Sequence, residues 1–290
     1  MRRFLPIILV MVLLGLLVRL ITLSPVSRRT SGEPRLYVHF IDVGQGDCTL
    51  ICTPDNRKVL VDAGSADGSR HLIRYLARHG VQRIDLLVIA HSDEDHIGGL
   101  PGVLDRFGVS RIMDAVPEAD GATYAQVISR IRDRRIDYRI AADFRQPNVS
   151  NCVDLEVLWP LRGPGSSPGS SSTGEPVVMR FGYGDIGFLL TGNIASSSEG
   201  RLLAEYHDLR ATVLKVANHG DSTTTSNEFL QIVKPEYAVV SAGDESESGR
   251  PDEETLRRLS ATGSKVFRTD KDGDIVISTD GCRVWTECER

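Results

Sequence analysis

The chain opens on a nearly continuous apolar run, Phe4 to Leu23, broken chiefly by Gly15, Arg19 and Thr22 and preceded by Arg2 and Arg3. About 20 such residues suffice to cross a bilayer as a helix. Residues 1–23 therefore predict a transmembrane anchor. The alternative is a signal segment cleaved after export, although no small-x-small cleavage site follows it. Either reading puts the globular part outside the cytoplasm. Residues 24–34 are polar, contain two prolines and read as a linker. The remainder, 35–290, is expected to fold as one domain.

From Leu36 the period shortens. Leu36–Val43, Cys48–Thr53 and Lys58–Asp62 are β-rich runs separated by turn residues. Ser69–His79 has helical spacing, with Leu72, Ile73 and Leu76 on one face and Gly80 as its stop. Ile84–Ala90, apolar but for Asp85, is expected to be one strand buried on both faces. Helices are predicted at 97–107 and 121–135, with a short strand at Arg111–Met113 between them. Val153–Trp159 follows as a strand, and 161–174 is a Gly/Ser/Pro loop. Glu175–Phe181 and Ile186–Thr191 form a hairpin around Gly184-Asp185. Then come a helix at 197–207, a strand at Thr212–Ala217 and a helix from about Ser226, with Thr225 and Glu228 as a capping box. Tyr237–Ala242 is a strand, Asp252–Thr262 a helix, and 265–269, 274–279 and 282–286 are strands. Two β-rich halves, each with its own helices, predict two sheets between helical layers in an α/β domain.

Net charge is −5 and the sequence pI about 5.8, which excludes bulk electrostatic capture of nucleic acid. One basic stretch exists: Arg130, Arg132, Arg134, Arg135 and Arg139, broken by Asp133 and Asp137. A solvated, ion-paired helix face accounts for it better than a backbone-tracking surface. The five cysteines make no tidy disulfide framework. Cys48 and Cys52, four apart in a strand, should stand about 13 Å apart, and Cys282 and Cys288 can meet only across a turn.

The chemistry concentrates in His91-Ser-Asp93-Glu-Asp95-His96-Ile-Gly98-Gly99. The segment sits where the buried strand ends and a helix begins, the place α/β folds put their ligands. Four potential ligands within six residues, on a bend, can converge on one metal. Imidazoles with carboxylates suit Zn²⁺, Mn²⁺ or Fe²⁺. The plainer reading is a polar turn with Asp93 or Asp95 capping the helix.

Together with Phe40-Ile-Asp42-Val-Gly44-Gln45-Gly46-Asp47 and Val61-Asp62-Ala-Gly64, this cluster resembles the metallo-β-lactamase superfamily. Within it, the chain is similar to the C-terminal hydrolase domain of ComEC-type DNA-uptake proteins. The likeness continues through Leu190-Thr-Gly192, Leu214-Lys215-Val216-Ala-Asn218-His219-Gly220-Asp-Ser222, Val240-Ser241-Ala-Gly243, Arg250-Pro251 and Thr269-Asp270-Lys-Asp-Gly273. It covers nearly everything from 36 to 281, in order. The resemblance implies a four-layer αββα sandwich and a binuclear centre of divalent ions, Zn or Mn. His91 and Asp93 would hold one ion and Asp95 and His96 the other, with His219 as the late histidine ligand. Asp62 would support the ligand loop by hydrogen bonding. A metal-activated water oriented by Asp95 would attack a phosphodiester. The multi-helix channel that DNA-uptake proteins also carry is absent, so the chain is not expected to be a transport pore.

Three positions depart from the family pattern. Asn193 stands where Thr-Gly-Asp supplies a bridging carboxylate, and marks either a one-metal enzyme or lost catalysis. Asn218 replaces the first histidine of His-His-Gly. Arg250 replaces a histidine and cannot ligate; it grips a substrate phosphate or pairs with Glu245, Glu247 or Asp252. Ser222 is a phosphate contact or a turn former, and Asp47 and Gln45 line the site or form a structural turn. Asp93, where β-lactam-opening enzymes place a histidine, speaks against that substrate. The expected function is an extracytoplasmic metal-dependent phosphodiesterase or nuclease. The alternatives are a catalytically degenerate binding or scaffold domain and a hydrolase of another ester.

Overall fold

The computed structural model describes residues 34–115, 119–160, 176–243 and 249–289. The predicted anchor at 1–23, the linker up to residue 33 and the loop at 161–174 lie outside the described residues. Among those described, no helix is long and apolar enough to cross a membrane.

Strands Leu36–Phe40 (β1), Thr49–Cys52 (β2), Lys58–Val61 (β3), Leu86–Ile89 (β5), Arg111–Asp114 (β7), Asp137–Ile140 (β8), Asp274–Thr279 (β15) and Val284–Glu289 (β16) build a mixed sheet in the order β16-β15-β1-β2-β3-β5-β7-β8. Arg83–Ile84 (β4) and Gly108–Val109 (β6) form a separate two-stranded ribbon. A second sheet contains Asp154–Trp159 (β9), Val178–Tyr183 (β10), Ile186–Leu190 (β11), Val213–Lys215 (β12), Tyr237–Val240 (β13) and Lys265–Arg268 (β14), in the order β14-β13-β12-β11-β10-β9.

Strand periodicity explains why so many of these runs are apolar throughout. Successive side chains leave a strand on opposite faces. In β5, Leu86 and Val88 enter the core between the sheets, whereas Leu87 and Ile89 pack outward under helices. In the second sheet, Phe188 and Leu190 face the shared core and Leu189 faces the other way. The outer face of the first sheet is covered by helices Ser69–Arg78 (α1), Glu94–Ile97 (α2), Leu100–Arg106 (α3) and Ala122–Arg134 (α4) through Leu72, Leu76, Val103 and Val127. Helices Ser196–Glu205 (α5), Asn227–Val233 (α6) and Glu253–Ala261 (α7) cover the second through Leu202, Phe229 and Leu259. The short helix Thr269–Asp272 (α8) joins β14 to β15. Three apolar cores separate four layers, helix–sheet–sheet–helix.

Several expectations are corrected. The run Ile84–Ala90 is two strands, because Asp85 interrupts it: its carboxylate accepts the Lys58 N–H at 2.9 Å and pairs with Arg57 at 3.1 Å. The helix expected at 97–107 is split at Gly98-Gly99 and begins earlier, at Glu94. The Gly-Gly pair is required by close packing, since a Cβ on Gly99 would lie 2.2 Å from the Ala63 carbonyl oxygen. Helix α6 is capped by Ser226, whose hydroxyl accepts the Phe229 N–H at 3.1 Å, not by a Thr225–Glu228 box. Thr225 lies outside the helix at φ 51°. Strand β8, Asp-Tyr-Arg-Ile, lacks an apolar pattern and was not foreseen. All five cysteines are free. In the basic stretch, Arg130 and Arg134 pair with Asp105 and Arg139 with Asp137.

Candidate metal centre

Two turns docked on each other build the site. Gly46, at φ 132°, ends the Gly44–Gly46 turn with its Cα so near the helix α2 segment that a Cβ would fall 2.0 Å from the Asp95 carbonyl oxygen. The Asp47 N–H donates to that same oxygen at 3.2 Å. The contact brings the Asp47 side chain beside the residues that follow β5.

Asp62, at the end of β3, is buried and divides its carboxylate. One oxygen accepts the Ala90 N–H at 2.7 Å, and the other takes His96 Nδ1–H at 2.8 Å. Binding Nδ1 in this way turns His96 Nε2 inward, where it lies 2.8 Å from the Asn193 amide nitrogen. His219 is oriented by the same device. It sits in a turn with Asn218 and His219 both in the left-handed region, φ 49° and 55°, and its Nδ1 donates to the Ser241 carbonyl at 3.1 Å. Its Nε2 therefore also faces inward. Gly220 lets this turn close on Pro251, which a Cβ would approach to 2.6 Å.

Ligand atoms of Asp47, His96 and His219 all fall within 4.8 Å of one another, and all three residues are buried. Asp95, 28% exposed, stands at the mouth, with Oδ2 3.4 Å from His219 Nε2 and Oδ1 3.9 Å from His96 Nε2. Asp47 Oδ1, Asn193 Oδ1 and His219 Nε2 are buried and carry no hydrogen bond. Buried polar atoms are ordinarily paired, so three orphans around one point fit a cation. Two imidazole nitrogens with carboxylate and amide oxygens suit zinc or manganese.

Electrostatics favour the same occupant. Burial opposes ionisation of Asp47, but the Lys215 ammonium and the His219 and His96 rings hold its pKa well below the usual carboxylate range. Burial also opposes ionisation of Asp95, and His219 and His96 beside it keep its pKa below the ordinary value. His96 is penalised by burial, yet Asp62, Asp47 and Asp95 lift it to about 9. His91 is lowered by burial and by His96.

The structure thus gathers Asp47, Asp95, His96, Asn193 and His219. His91 and Asp93 adjoin this group but fall outside the three residues whose ligand atoms lie within 4.8 Å of one another. The His91 ring lies 5.3 Å from that of His96, and the Asp93 carboxylate, 64% exposed, faces His91 Nδ1 at 3.4 Å. Asp93 occupies the N-cap position of α2 without making a side-chain cap bond. Ser222 is exposed and spends its N–H on Asp252. Arg250 donates to the Asp221 carboxylate at 2.5 Å and to the Asn218 side-chain Oδ1 at 3.0 Å; Glu245 and Glu247, two of its expected partners, lie outside the described residues. Lys215 was not anticipated as a site residue. Its Nζ is 2.5 Å from Asp47 Oδ2 and almost wholly buried. The available signal was a lysine within the apolar run Val213–Ala217.

A family model for the metallo-beta-lactamase superfamily matches residues 41–244. The chain is 26% identical over 255 residues to ComE operon protein 3 of Bacillus subtilis, covering 82% of this chain and 32% of that protein. It is 30% identical over 234 residues to competence protein ComA of Neisseria gonorrhoeae, covering 80% of this chain and 30% of that protein. The chain therefore spans about a third of the length of these relatives. The crystal structure of the metallo-beta-lactamase fold protein YhfI from Bacillus subtilis superposes with a TM-score of 0.50 at 12% identity, over 81% of this chain and 96% of that one, a likeness of fold.

Proposed function

Because this chain belongs to the metallo-beta-lactamase superfamily, we propose that it is a metal-dependent hydrolase of phosphodiesters, with a nucleic-acid strand as substrate, held outside the cytoplasm by an anchor in residues 1–23. The observation that carries the reading is the convergence of buried ligand atoms of Asp47, His96 and His219 within 4.8 Å of one another, with Asp47 Oδ1, His219 Nε2 and the nearby Asn193 Oδ1 left without a hydrogen bond. Each such orphan costs about 1–3 kcal/mol when left unmet. A domain kept only as a scaffold would have no cause to retain three of them in one place. The kinship with competence proteins supports nucleic acid as the substrate class.

His96 and His219 would hold the ion, Zn or Mn, with Asp95 and with Asp47 Oδ1 or Asn193 Oδ1. A divalent ion supplies Lewis acidity toward water and a phosphoryl oxygen. Asp62 and the Ser241 carbonyl fix the two imidazoles through their Nδ1 atoms. Asp95 alone among the gathered carboxylates is open to solvent, so it is the group placed to orient water and accept its proton. Asn218 and Arg250, bonded to each other, shape the turn that presents His219.

The test is cleavage of single-stranded DNA and of a chromogenic phosphodiester by the zinc- or manganese-loaded protein. Asp95→Asn should remove activity while circular dichroism stays unchanged. Full activity in that variant, or a loaded wild-type protein that cleaves neither substrate, would overturn the proposal.

A further inference from the structure

Lys215 is the least expected group in the site. It ends the short strand β12, its ammonium is 3% exposed, and it lies 2.5 Å from Asp47 Oδ2 and 3.3 Å from the Val216 carbonyl oxygen. A buried charge is retained only when paired, and here the partner is one of the three residues whose ligand atoms converge. The ion pair uses Oδ2 of Asp47 and leaves Oδ1 as its single free oxygen. Asp47 therefore has no second oxygen with which to bridge two ions. Asn193, neutral, offers no bridging charge either.

Charge sets the occupancy. The charged groups about the Asp47 carboxylate are those of Asp62 and Asp95 and the Lys215 ammonium, while His96, His219 and Asn193 are neutral when facing a cation. One divalent ion brings this set to neutrality. A second would leave two excess positive charges where water is largely shut out, and like charges there repel strongly.

We infer that the Lys215 ammonium stands in for a second metal ion and fixes the centre at one divalent cation. The inference rests on the metal-binding part of the function proposed above. Its consequence is that metal stoichiometry is set by Lys215 and not by the ligand at 193 alone.

Zinc binding, followed by calorimetric titration and elemental analysis of the whole chain, tests it without any activity assay. Wild type is expected to take one equivalent. Asn193→Asp, isosteric and retaining Lys215, should still take one. Lys215→Gln, which can still donate to Asp47, should bind that ion at least about tenfold more tightly. The double variant N193D/K215Q should take two. Should K215Q fold only when zinc is present, the zinc-dependent gain in its unfolding midpoint must exceed that of wild type. Two equivalents in wild type or in N193D would overturn the role of Lys215 and leave the hydrolase proposal standing, as would unchanged affinity in K215Q. No zinc bound by wild type would remove both.

Discussion

Asp62 and His96 are joined by a 2.8 Å hydrogen bond in which both partners are buried, and the second oxygen of Asp62 holds the Ala90 backbone N–H. One carboxylate thus sets both the tautomer of a candidate ligand and the path of the chain leading to it. Substituting Asp62→Asn keeps the size but turns an acceptor into a group that can present N–H to His96 Nδ1. The ring then has reason to flip or to donate from Nε2. Zinc affinity is expected to fall by about 10–100-fold, read by competition with a fluorescent zinc chelator. An unchanged affinity would show that Asp62 does not control His96.

The pH dependence of metal binding follows from His96. Its pKa is raised from 6.5 to about 9 in the metal-free protein, because Asp62, Asp47 and Asp95 outweigh burial. A metal must displace that proton from Nε2, so binding releases a proton below pH 9. Apparent zinc affinity should rise about tenfold per pH unit towards 9 and then level off. The stability of the metal-free protein moves oppositely. A raised folded-state pKa contributes stabilisation that is complete below 6.5 and is lost as pH climbs through about 9. Chemical denaturation of the metal-free chain between pH 6 and 10 checks the second sign, and chelator competition over the same range checks the first. A flat profile in both would remove His96 as the titrating ligand.

Much of this arrangement was open to reading in the sequence, for identifiable reasons. Local signals worked: the apolar alternation in β1 to β3, the Gly184-Asp185 hairpin between β10 and β11, and Gly80 closing α1 all act within a few residues. The ligand cluster at 91–96 was visible because its side chains crowd one bend. What stayed hidden depends on distant partners. Lys215 reads as an anomaly in a core strand until Asp47, 168 residues earlier, is found against it. The contact of the Arg250 guanidinium with Asp221, 29 residues back, is of the same kind. The break at Gly98-Gly99 was missed because both glycines sit in a helical pattern, and only the approach of residues 63–66 forbids a side chain there.

The N-cap of α6 offers a local test of the corrected helix start. Ser226 accepts the Phe229 N–H at 3.1 Å, while the preceding N–H groups of Thr225 and Ser226 are taken by the buried Glu199 carboxylate. Ser226→Ala should destabilise the protein by about 1 kcal/mol, measured by urea denaturation, with zinc affinity unchanged. A loss of zinc binding would mean that the cap also positions the His219 turn.

Gly46 carries the most severe steric constraint in the site. Its φ of 132° is unfavourable for any residue with a side chain, and a Cβ would sit 2.0 Å from the Asp95 carbonyl oxygen, a backbone atom that cannot swing away. Gly46→Ala must therefore push the Asp47 turn off the ligand loop. That displacement breaks the Asp47 N–H bond to Asp95 and moves the Asp47 carboxylate away from both His219 and Lys215. A cost of about 2–4 kcal/mol is expected, the sum of backbone strain and a loosened buried ion pair. Zinc binding should weaken in parallel, because Asp47 leaves the cluster while Asp62 still holds His96. Gly44→Ala is the matched control, since nothing lies within 4 Å of a Cβ there although its φ is also positive, at 72°. It should cost about 1–2 kcal/mol, the strain alone, and leave zinc affinity near that of wild type. Equal losses of zinc affinity in the two variants would show that turn conformation, not the contact with Asp95, places Asp47 in the site.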